Sequence, residues 1–588
     1  MIKNKKVILL IEFVLSAIII KLAIHLFSIP NHSVYTVIAV GIVMFLLHYR
    51  QEKKEVIAQK STQIISCIYS LAIAVVLTLQ SKITFQGDVG YTASQNTFAQ
   101  FEGGDILKLA VVFVLVYVIV TSIVIWFKTS RLTIIRKKEE QKQLTKKEFW
   151  TQWIIATILV AIPFFLYLIT YAPGAVLGDS LASITQGLGE APFYNHHPIV
   201  YSMFVGIFMR IGQALGSYNI GVMLYSCTQL ILLAGMIGYF LVWLRKYQVK
   251  SEIILLTYLF FVANTIFSAY SIIMWKDPLF CGFIFLMCLF LFDIVKEQGR
   301  PLKKATGILK FTLLSLLIAF FRNNGFLIVI GIDLILVFLY RKEFIPIHVV
   351  NGITIVLILV IQGPIYTKLN MNAPLAESMG VPLQQIARTI TEEGKITDEQ
   401  KQFLNQILPL DKWSKNYQPC IVDSIKWDPE FNNEFLAENK GKFLTTWASM
   451  LPSNFTEYVK SYLMQTYGFW SLETKNKFGF VDTYIIENQY EIERKDLVKT
   501  ATGFSLENTF TTPDFLGSGT LFWMMVLSGV LVYMNRKKQY LLVLLPCFIS
   551  WISIMIATPV AFSLRYVFML AFALPLIVYL PWLSKEET

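Results

Sequence analysis

The chain has 588 residues, of which 55% are hydrophobic and only 15% are charged, and its mean hydropathy is +0.57. Soluble domains usually contain about a quarter of charged residues, so this composition excludes a soluble globular protein and predicts an all-α polytopic membrane protein. A net charge of +12 is compatible with nucleic-acid binding, but basic residues that anchor cytoplasmic loops explain it without a nucleic acid. The six cysteines form no CxxC pair and give no sign of a disulfide framework or a metal motif.

Apolar runs long enough to cross a bilayer recur along the whole chain. The first run has no small-residue cleavage site after it, so we interpret it as a retained helix and not as a signal peptide. Fourteen membrane helices are predicted, near residues 7–29, 32–48, 62–80, 106–127, 151–172, 218–244, 252–273, 278–295, 307–321, 325–340, 346–363, 517–534, 540–557 and 561–582.

The charged residues between these helices predict the orientation of the chain. With the N-terminus inside, every second connection carries a basic run, such as "YRQEKKEV", "KTSRLTIIRKKEEQKQLTKKE" and "LRKYQVK". The segments on that side hold 28 lysines and arginines, whereas the short loops on the other side hold four: Lys82, Arg210, Lys276 and Arg322. Because basic loops stay in the cytoplasm, we predict a multi-pass protein of the cell membrane with both termini cytoplasmic.

The run at 198–215, "PIVYSMFVGIFMRIGQAL", is also apolar enough to span a membrane. If it did, the later basic loops would lie outside, against the charge rule. We therefore predict that it lies in the outer interface as an amphipathic helix with Arg210 on its wet side. Residues 173–217 then form one long outer loop.

Four regions follow from this topology. Residues 1–150 form four N-terminal helices with a basic cytoplasmic linker, and residues 151–363 form a membrane core that includes the long outer loop. Residues 364–516, hereafter the inserted domain, are of ordinary composition and predict a small, mostly helical extracytoplasmic domain. Residues 517–588 supply the last membrane helices and complete the core.

Polar residues gather on the predicted outer face. An arginine inside a membrane helix is costly, so Arg565 is a functional candidate, and carboxylates such as Asp179 and Asp277 can activate a hydroxyl nucleophile. Arginines also match the geometry of phosphate. Together these residue types predict a site for a charged, lipid-anchored substrate. The candidates are Asp179, Glu190, His196, His197, Lys276, Asp277, Arg322, Asn323, Arg565 and Tyr566.

Three of these candidates have structural explanations that compete with function. Asp179 fits the N-cap of a helix that begins at Ser180. Arg322 and Arg565 fit side chains that extend along a helix to place their charge at the interface.

The remaining charged pairs also have a structural alternative. His196 and His197 precede a proline and fit the start of an interfacial helix. Lys276 and Asp277 fit a local ion pair before a helix that starts at a proline. Convergence of the candidates on one face of the membrane is therefore what favours a function.

The order of these features resembles a known superfamily. An acid in a long outer loop (Asp179), a His-Pro step that opens an interfacial helix (His197) and a basic-acidic turn (Lys276, Asp277) follow one another. This order, over about residues 151–582, resembles the GT-C membrane glycosyltransferases, especially protein O-mannosyltransferases and the aminoarabinose transferases of lipid A. The resemblance implies that Asp179 activates the acceptor and that Asp277 positions acceptor or metal. It also implies that His197 and Arg565 lie near the donor phosphate.

Two departures from the superfamily pattern leave the acceptor class open. Serine follows Asp179 where the superfamily often has Asp-Glu, and Ile-Val follows His197–Pro198 where it often has Pro-Leu. More narrowly, "PLQQIART" at 382–389, "FRNNG" at 321–325 and the late "RY" resemble DUF6020, an uncharacterised family of Gram-positive polytopic proteins.

We therefore expect an inverting glycosyltransferase that works on the extracytoplasmic face. The expected partners are a polyprenyl-phosphate-linked sugar, membrane lipid and a cell-surface glycan, lipid or protein acceptor, without nucleic acid. Asp179 and Asp277 are the predicted catalytic residues. The predicted donor-phosphate residues are His197, Lys276, Arg322 and Arg565, and the further candidates are Glu190, His196, Asn323 and Tyr566.

Two other functions stay open at this point. A flippase or exporter of lipid-linked sugars would use the same cations, although the chain shows no inverted repeat of the kind that transporters commonly have. A non-catalytic scaffold for cell-wall polymer assembly would bind through the inserted domain. A divalent metal between Asp179 and Asp277 also stays open, because two carboxylates are too few to establish one.

Overall fold

The computed structural model describes residues 5–27, 29, 33–85, 97–130, 133–137, 140–141, 143–340, 345–472, 483–557, 560–561 and 563–585. Within these residues nearly all regular structure is helical, and the one sheet is the antiparallel pair β1 (Ile83–Thr84) and β2 (Thr97–Phe98). The predicted all-α class is therefore confirmed.

The first half of the chain supplies most of the membrane helices. They are α1 (Lys5–Leu26), α2 (Ser33–Glu52), α3 (Lys54–Ile57), α4 (Lys60–Gln80), α5 (Gly103–Thr129), α6 (Lys146–Thr170), α7 (Gly178–Leu188), α8 (Ile199–Ala214), α9 (Tyr218–Lys246), α10 (Ser251–Ala263), α11 (Thr265–Ile272), α12 (Lys276–Lys296), α13 (Ala305–Phe321), α14 (Gly325–Leu339) and α15 (Ile345–Val360). A short 3₁₀ turn, Arg300–Lys303, precedes α13, and one π-helical turn, Ile361–Ile365, follows α15.

The inserted domain and the C-terminal region follow in chain order. The domain contains α16 (Tyr366–Lys368), α17 (Gly380–Thr391), α18 (Asp398–Ile407), α19 (Leu410–Asn416), α20 (Asp423–Lys426), α21 (Asn433–Glu438), α22 (Lys440–Met450), α23 (Phe455–Gln465), α24 (Tyr467–Trp470) and α25 (Leu497–Thr502), with 3₁₀ turns at Leu375–Ser378 and Glu507–Thr509. The C-terminal region contains α26 (Ser518–Met534), α27 (Leu545–Ile556), α28 (Phe568–Phe572) and α29 (Leu574–Leu583), with 3₁₀ turns at Lys538–Leu544 and Leu564–Val567.

Ten helices in the described residues are long and apolar enough to cross a membrane, and the bent pair α10–α11 makes eleven. This shows a multi-pass membrane protein. Each of the fourteen predicted segments falls on helical structure, but α13, α14 and α26 have only 17, 15 and 17 residues. The count of fourteen spans therefore stays a prediction.

Helix α12 lies at the centre of the membrane region. Nearly all of its side chains are buried, including Phe280, Ile284 and Leu291, and it packs against α9, α13 and α28. By contrast, most of the surface of α2 is exposed, as expected for a helix that faces lipid. The central position of α12 places its first residues, Lys276 and Asp277, in the middle of the bundle.

The break between α10 and α11 is bent by 56°, and a buried glutamine supports the end of the shorter piece. Gln229 donates Nε2 hydrogen bonds to the carbonyls of Tyr270 (3.2 Å), Ser271 (3.1 Å) and Ile273 (2.7 Å). The last carbonyls of a helix lack partners within the helix, and leaving them unpaired in a buried region is costly. Gln229 therefore fixes the chain immediately before α12.

The N-terminal helices pack on the C-terminal part of the core. The hydroxyl of Tyr69 on α4 donates to the carbonyl of Trp523 on α26 at 3.0 Å. A second hydrogen bond joins Lys585, which follows α29, to α5: its Nζ donates to the carbonyl of Phe127 at 2.7 Å. Residues far apart in sequence therefore join α4 and α5 to the C-terminal region.

The inserted domain has its own hydrophobic core, separate from that of the membrane helices. Its fully buried members include Leu383, Ile386, Leu404, Ile407, Trp413, Leu436 and Phe443. Backbone hydrogen bonds attach the domain to the end of the bundle at which α7 begins. They run from Ile486 N to Val176 O (2.9 Å), from Lys495 N to Ala172 O (2.7 Å) and from Ala561 N to Cys420 O (2.8 Å).

Helices α7 and α8 approach each other at two glycines. A Cβ built on Gly206 would lie 2.5 Å from the carbonyl oxygen of Gly187, and one on Gly187 would lie 2.6 Å from the carbonyl oxygen of Ser202. Helix α8 buries Val205 and Met209 on this side, and it leaves Arg210 exposed. Its exposed apolar side suits the predicted interfacial position, which stays a prediction.

We predict that Gly206→Ala destabilises the protein by about 1–3 kcal/mol, because the added methyl group overpacks a close contact between two backbones. The melting temperature of the purified protein in detergent measures this. Gly41→Ala is the matched control, since Gly41 lies in a helix where a Cβ meets nothing within 4 Å. Equal melting temperatures for the two variants would contradict the close approach.

Candidate functional site

Four segments that are distant in sequence meet at one end of the bundle. They are the first turn of α7, the start of α12, the residue after α13 and the 3₁₀ turn before α28. Their charged side chains form one group of ion pairs. We call Asp179, Lys276, Asp277, Arg322 and Arg565 the charge cluster.

Arg565 joins the two carboxylates of the charge cluster. Its Nη2 binds Oδ2 of Asp179, and its Nε donates to Oδ2 of Asp277 at 2.7 Å. The guanidinium also lies 4.1 Å from the ring centroid of Trp275, as in a cation–π contact. Arg565 therefore points towards partners within the protein, and the interface-snorkelling alternative does not describe it.

Asp277 is enclosed by arginines. Its side chain is 0% exposed, and its second oxygen, Oδ1, lies 3.1 Å from Nη1 of Arg322. Arg322 also donates Nη1 to the carbonyl of Tyr566 at 3.3 Å. Because both oxygens face guanidinium groups and none faces solvent, this geometry suits a carboxylate that holds the two arginines in place.

Asp179 is the accessible acid of the charge cluster. Its side chain is 35% exposed, and Lys276 Nζ lies 3.7 Å from Oδ2. The residue lies within the first turn of α7, whose N-cap is Leu177. The local hydrogen bonds come from Ser180, whose hydroxyl accepts from Leu177 N at 3.0 Å and donates to Met274 O at 2.8 Å. Asp179 is thus left to face the cations and solvent.

The pKa of Asp179 lies well below its ordinary value. Burial by itself would raise this pKa, but the charges of Arg565 and Lys276 outweigh burial and favour the ionised carboxylate. In this arrangement Asp179 is ionised at neutral pH. It is also a weak base for as long as both cations stay on it.

His197 lies beside the charge cluster as a neutral side chain. Burial, with a further contribution from Lys276, lowers the pKa of His197 to about 3. Its Nδ1 is buried and has no hydrogen-bond partner among the described residues. With His197 neutral, three basic side chains of the charge cluster face two carboxylates, a formal excess of one positive charge.

The other predicted candidates lie around the charge cluster and not in it. The carboxylate of Glu190 accepts from the hydroxyl of Tyr490 in the inserted domain at 2.6 Å. His196 Nδ1 lies 3.4 Å from Oε2 of Glu377, also in that domain. Asn323 donates to the carbonyl of Asn195. These candidates attach the long loop to its neighbours.

Tyr566 packs against the charge cluster without a charge of its own. Its ring centroid lies 5.2 Å from Arg322 and 5.8 Å from Arg565. The aromatic faces of Tyr566 and Trp275 therefore line the arginines, where they limit contact of the guanidinium groups with water.

Sequence reasoning did not predict the roles of Trp275, Gln229 or Glu377. Trp275 directly precedes the Lys276–Asp277 pair, and this position is the one sequence signal that could have indicated its place in the site. Gln229 lies in an apolar helix, and Glu377 lies in the inserted domain outside the quoted motifs. Only the folded arrangement shows what these two side chains contact.

The space between Asp179 and Asp277 is taken by a guanidinium group. Arg565 contacts Oδ2 of both carboxylates, so a divalent cation held by the same oxygens would have to displace it. In the described part of the chain no group of three or more histidines, cysteines or acids is placed to hold a metal ion.

Comparison with known proteins assigns a family. Residues 189–588 match DUF6020, a family of unknown function. The chain belongs to DUF6020. The matched range includes four members of the charge cluster, and Asp179 lies just before it. No curated protein and no solved structure matches the chain.

For this DUF6020 protein we predict that stability falls as pH is lowered from 7 to 4, partly because of His197. The unfolded chain takes up a proton on this residue near its ordinary pKa of 6.5, whereas the folded protein does so only near pH 3. His197→Gln should therefore show a smaller fall in melting temperature over this range.

The same melting curves need a control histidine. His25→Gln changes a histidine of α1, far in sequence from the charge cluster, and should keep the pH dependence of the wild type. If His197→Gln and the wild type lose stability equally between pH 7 and pH 4, the buried neutral state of His197 is wrong.

Proposed function

We propose that this protein is an inverting glycosyltransferase that acts at the extracytoplasmic membrane face. It would transfer a sugar from a polyprenyl-phosphate donor to a cell-surface glycan, lipid or protein. The observation that carries this proposal is the charge cluster, in which three cations face two carboxylates and only one carboxylate reaches solvent. The GT-C resemblance of the sequence supports the same function.

The excess positive charge favours an anionic ligand. An uncompensated charge in a poorly hydrated site is costly, and a phosphate would provide both the missing negative charge and acceptors for the arginine donors. The exposed side of Asp179, Lys276 and Arg565 is where such a phosphate would enter. The donor lipid would approach from the bilayer beside the bundle.

Phosphate binding would also activate Asp179. A donor phosphate would compete with this carboxylate for Arg565 and Lys276, because its oxygens offer the two cations the same negative charge and hydrogen-bond acceptors as Asp179 does. Once the cations turn to the phosphate, the pKa of Asp179 rises towards its ordinary value. The carboxylate then becomes a better base for the acceptor hydroxyl.

The proposed transfer step needs no general acid to protonate the leaving group. The acceptor hydroxyl loses its proton to Asp179, and its oxygen forms a bond to the anomeric carbon from the face opposite the phosphate. The bond between that carbon and the phosphate oxygen breaks, and the electron pair leaves with the lipid phosphate. Arg565 and Arg322 offset the charge that develops on this leaving group.

The position of the charge cluster favours a transferase over a carrier. It lies at the start of α12, whereas transporter sites lie near the middle of the membrane. Two acids of the core helices lie away from the charge cluster, and both have polar partners: Asp333 accepts from Asn351 at 2.5 Å, and Asp293 accepts from Tyr247 at 2.6 Å.

The proposed orientation places the charge cluster and the inserted domain outside. Helix α12 runs from Lys276 in the charge cluster to Lys296 at the opposite end. At that opposite end Lys246 of α9 lies 3.5 Å from Asp293 and 3.4 Å from Glu297. The basic loops predicted to be cytoplasmic therefore lie on the far side of the bundle.

For the topology we predict that Lys401→Cys reacts with a membrane-impermeant maleimide in intact cells, while Lys304→Cys reacts only after permeabilisation. Both lysines are exposed, the first in the inserted domain and the second before α13. Cys67 and Cys227, the two cysteines that are not buried, should first be replaced by serine. Labelling of Lys304→Cys from outside would reverse the orientation and refute the proposal.

For catalysis we predict that Asp179→Asn keeps the fold and lowers sugar transfer by roughly 10²–10⁴-fold, the usual contribution of a general base. Asp277→Asn should instead lower stability by about 3–5 kcal/mol, because it leaves buried arginines without a partner. Transfer from a purified polyprenyl-phosphate sugar and the melting temperature together separate these two roles.

The control for both variants is Asp398→Asn, which changes an exposed acid of the inserted domain and should leave transfer and stability unchanged. Transfer by Asp179→Asn at the wild-type rate would refute the role of Asp179. If the wild type transfers no sugar but moves the lipid-linked sugar across vesicles, the protein is a carrier.

A further inference from the structure

The inserted domain presents an exposed tryptophan. Trp427 follows α20 and is 63% exposed, whereas Trp413 of the same domain is fully buried. Large aromatic side chains are usually buried, and an exposed one that is held in place commonly marks a binding surface. The surroundings of Trp427 therefore decide what it could bind.

Ion pairs of the buried Lys426 hold Trp427 in place. Lys426 is only 5% exposed, binds Glu377 at 2.5 Å and Asp423 at 2.9 Å, and places its Nζ 5.2 Å from the Trp427 ring centroid. The indole Nε1 donates to Oε1 of Glu377 at 3.5 Å. The ammonium group thus covers one face of the indole, and the other face remains available.

Side-chain contacts lead from Glu377 towards the charge cluster. Glu377 lies 3.4 Å from Nδ1 of His196, and the rings of His196 and His197 are 4.6 Å apart. His197 in turn lies close enough to Asp179 for the two side chains to interact electrostatically. Consecutive side-chain contacts therefore lead from the exposed tryptophan to His197, which lies beside the charge cluster.

We propose that Trp427, with Glu377 and Lys426, is a saccharide-binding subsite that holds the acceptor glycan of the transfer reaction. The apolar face of a pyranose ring would stack on the open face of the indole. Hydroxyl groups at the rim of the sugar would donate to the carboxylate of Glu377, which is half-buried, while the buried Lys426 holds Glu377 and the indole in place from the opposite face. This subsite rests on the proposed function, and it narrows the acceptor class to a glycan.

A lipid-anchoring role fits the surroundings of Trp427 less well. Tryptophans that anchor proteins at the bilayer interface belong to apolar or aromatic surfaces. Trp427 is instead followed by Asp428 and Glu430, and both bind Lys412, at 3.0 Å and 2.9 Å. A surface of paired charges favours a hydrated, hydroxyl-rich ligand.

The test is binding of chitotetraose, cellotetraose and maltotetraose to the purified full-length protein, measured by isothermal titration calorimetry. We expect the wild type to bind at least one of them and Trp427→Ala to lose affinity roughly threefold to tenfold, which is what one aromatic stacking contact contributes. Trp427→Phe should recover part of the loss. Phe455→Ala is the matched control, because Phe455 is a 61% exposed aromatic residue of the same domain.

Three results would overturn the subsite. They are no binding of any of the three saccharides at millimolar concentration, equal affinity in Trp427→Ala and the wild type, and an equal loss in Phe455→Ala. A decrease in the quenching of tryptophan fluorescence by headgroup-labelled lipid in nanodiscs on Trp427→Phe would instead establish a membrane contact of Trp427 and also overturn the subsite.

The subsite and the transferase can fail separately. If the wild type transfers sugar and Trp427→Ala has an unchanged KM for the acceptor, the subsite is wrong and the proposed function stands. If no transfer occurs but saccharide binding depends on Trp427, the subsite stands and the proposed function is wrong.

Discussion

The contact of one guanidinium group with two carboxylates organises this end of the protein. Arg565 comes from the last part of the chain, Asp179 from the first turn of α7, and Asp277 from the start of the central helix. Arg565 and Asp277 could not be buried without a charge partner except at a large desolvation cost. The three segments that supply these groups must therefore come together for Arg565 to be paired with both carboxylates.

Polar contacts around the charge cluster hold these segments in place. Gln229 binds the backbone at the end of the broken helix, just before Trp275. Ser180 binds the next residue of that backbone and so attaches the start of α7 to it. The inserted domain contacts the long loop through Glu190 and His196. Each contact is a hydrogen bond or ion pair made by a buried or half-buried group. The positions of the reactive groups thus depend on polar contacts, while the apolar helices supply the bulk of the packing.

Much of the fold and part of the site could be predicted from the sequence. Hydropathy identifies the apolar helices because lipid contact imposes composition along a whole span, and the cost of intramembrane charge identifies Arg565. The same signals could not separate Asp277, which is enclosed, from Asp179, which is exposed, because both are acids at the start of a helix. Nor could they show that Glu190 and His196 face the inserted domain, since that depends on contacts between segments separated by well over a hundred residues.

The division between a buried and an accessible acid has a consequence for the proposed reaction. Asp277 binds Nε of Arg565 and Nη1 of Arg322, so in the proposed reaction both guanidinium groups are already in the site when Nη2 of Arg565 turns from Asp179 to the phosphate. Asp179 shares Arg565 with Asp277 and is the only one of the two acids that solvent reaches. Because its basicity is suppressed until a phosphate takes over the cations, an acceptor hydroxyl that arrives first meets a weak base. In the proposed reaction the donor would therefore bind before the acceptor is activated, and water that reaches Asp179 before the donor would not be activated either.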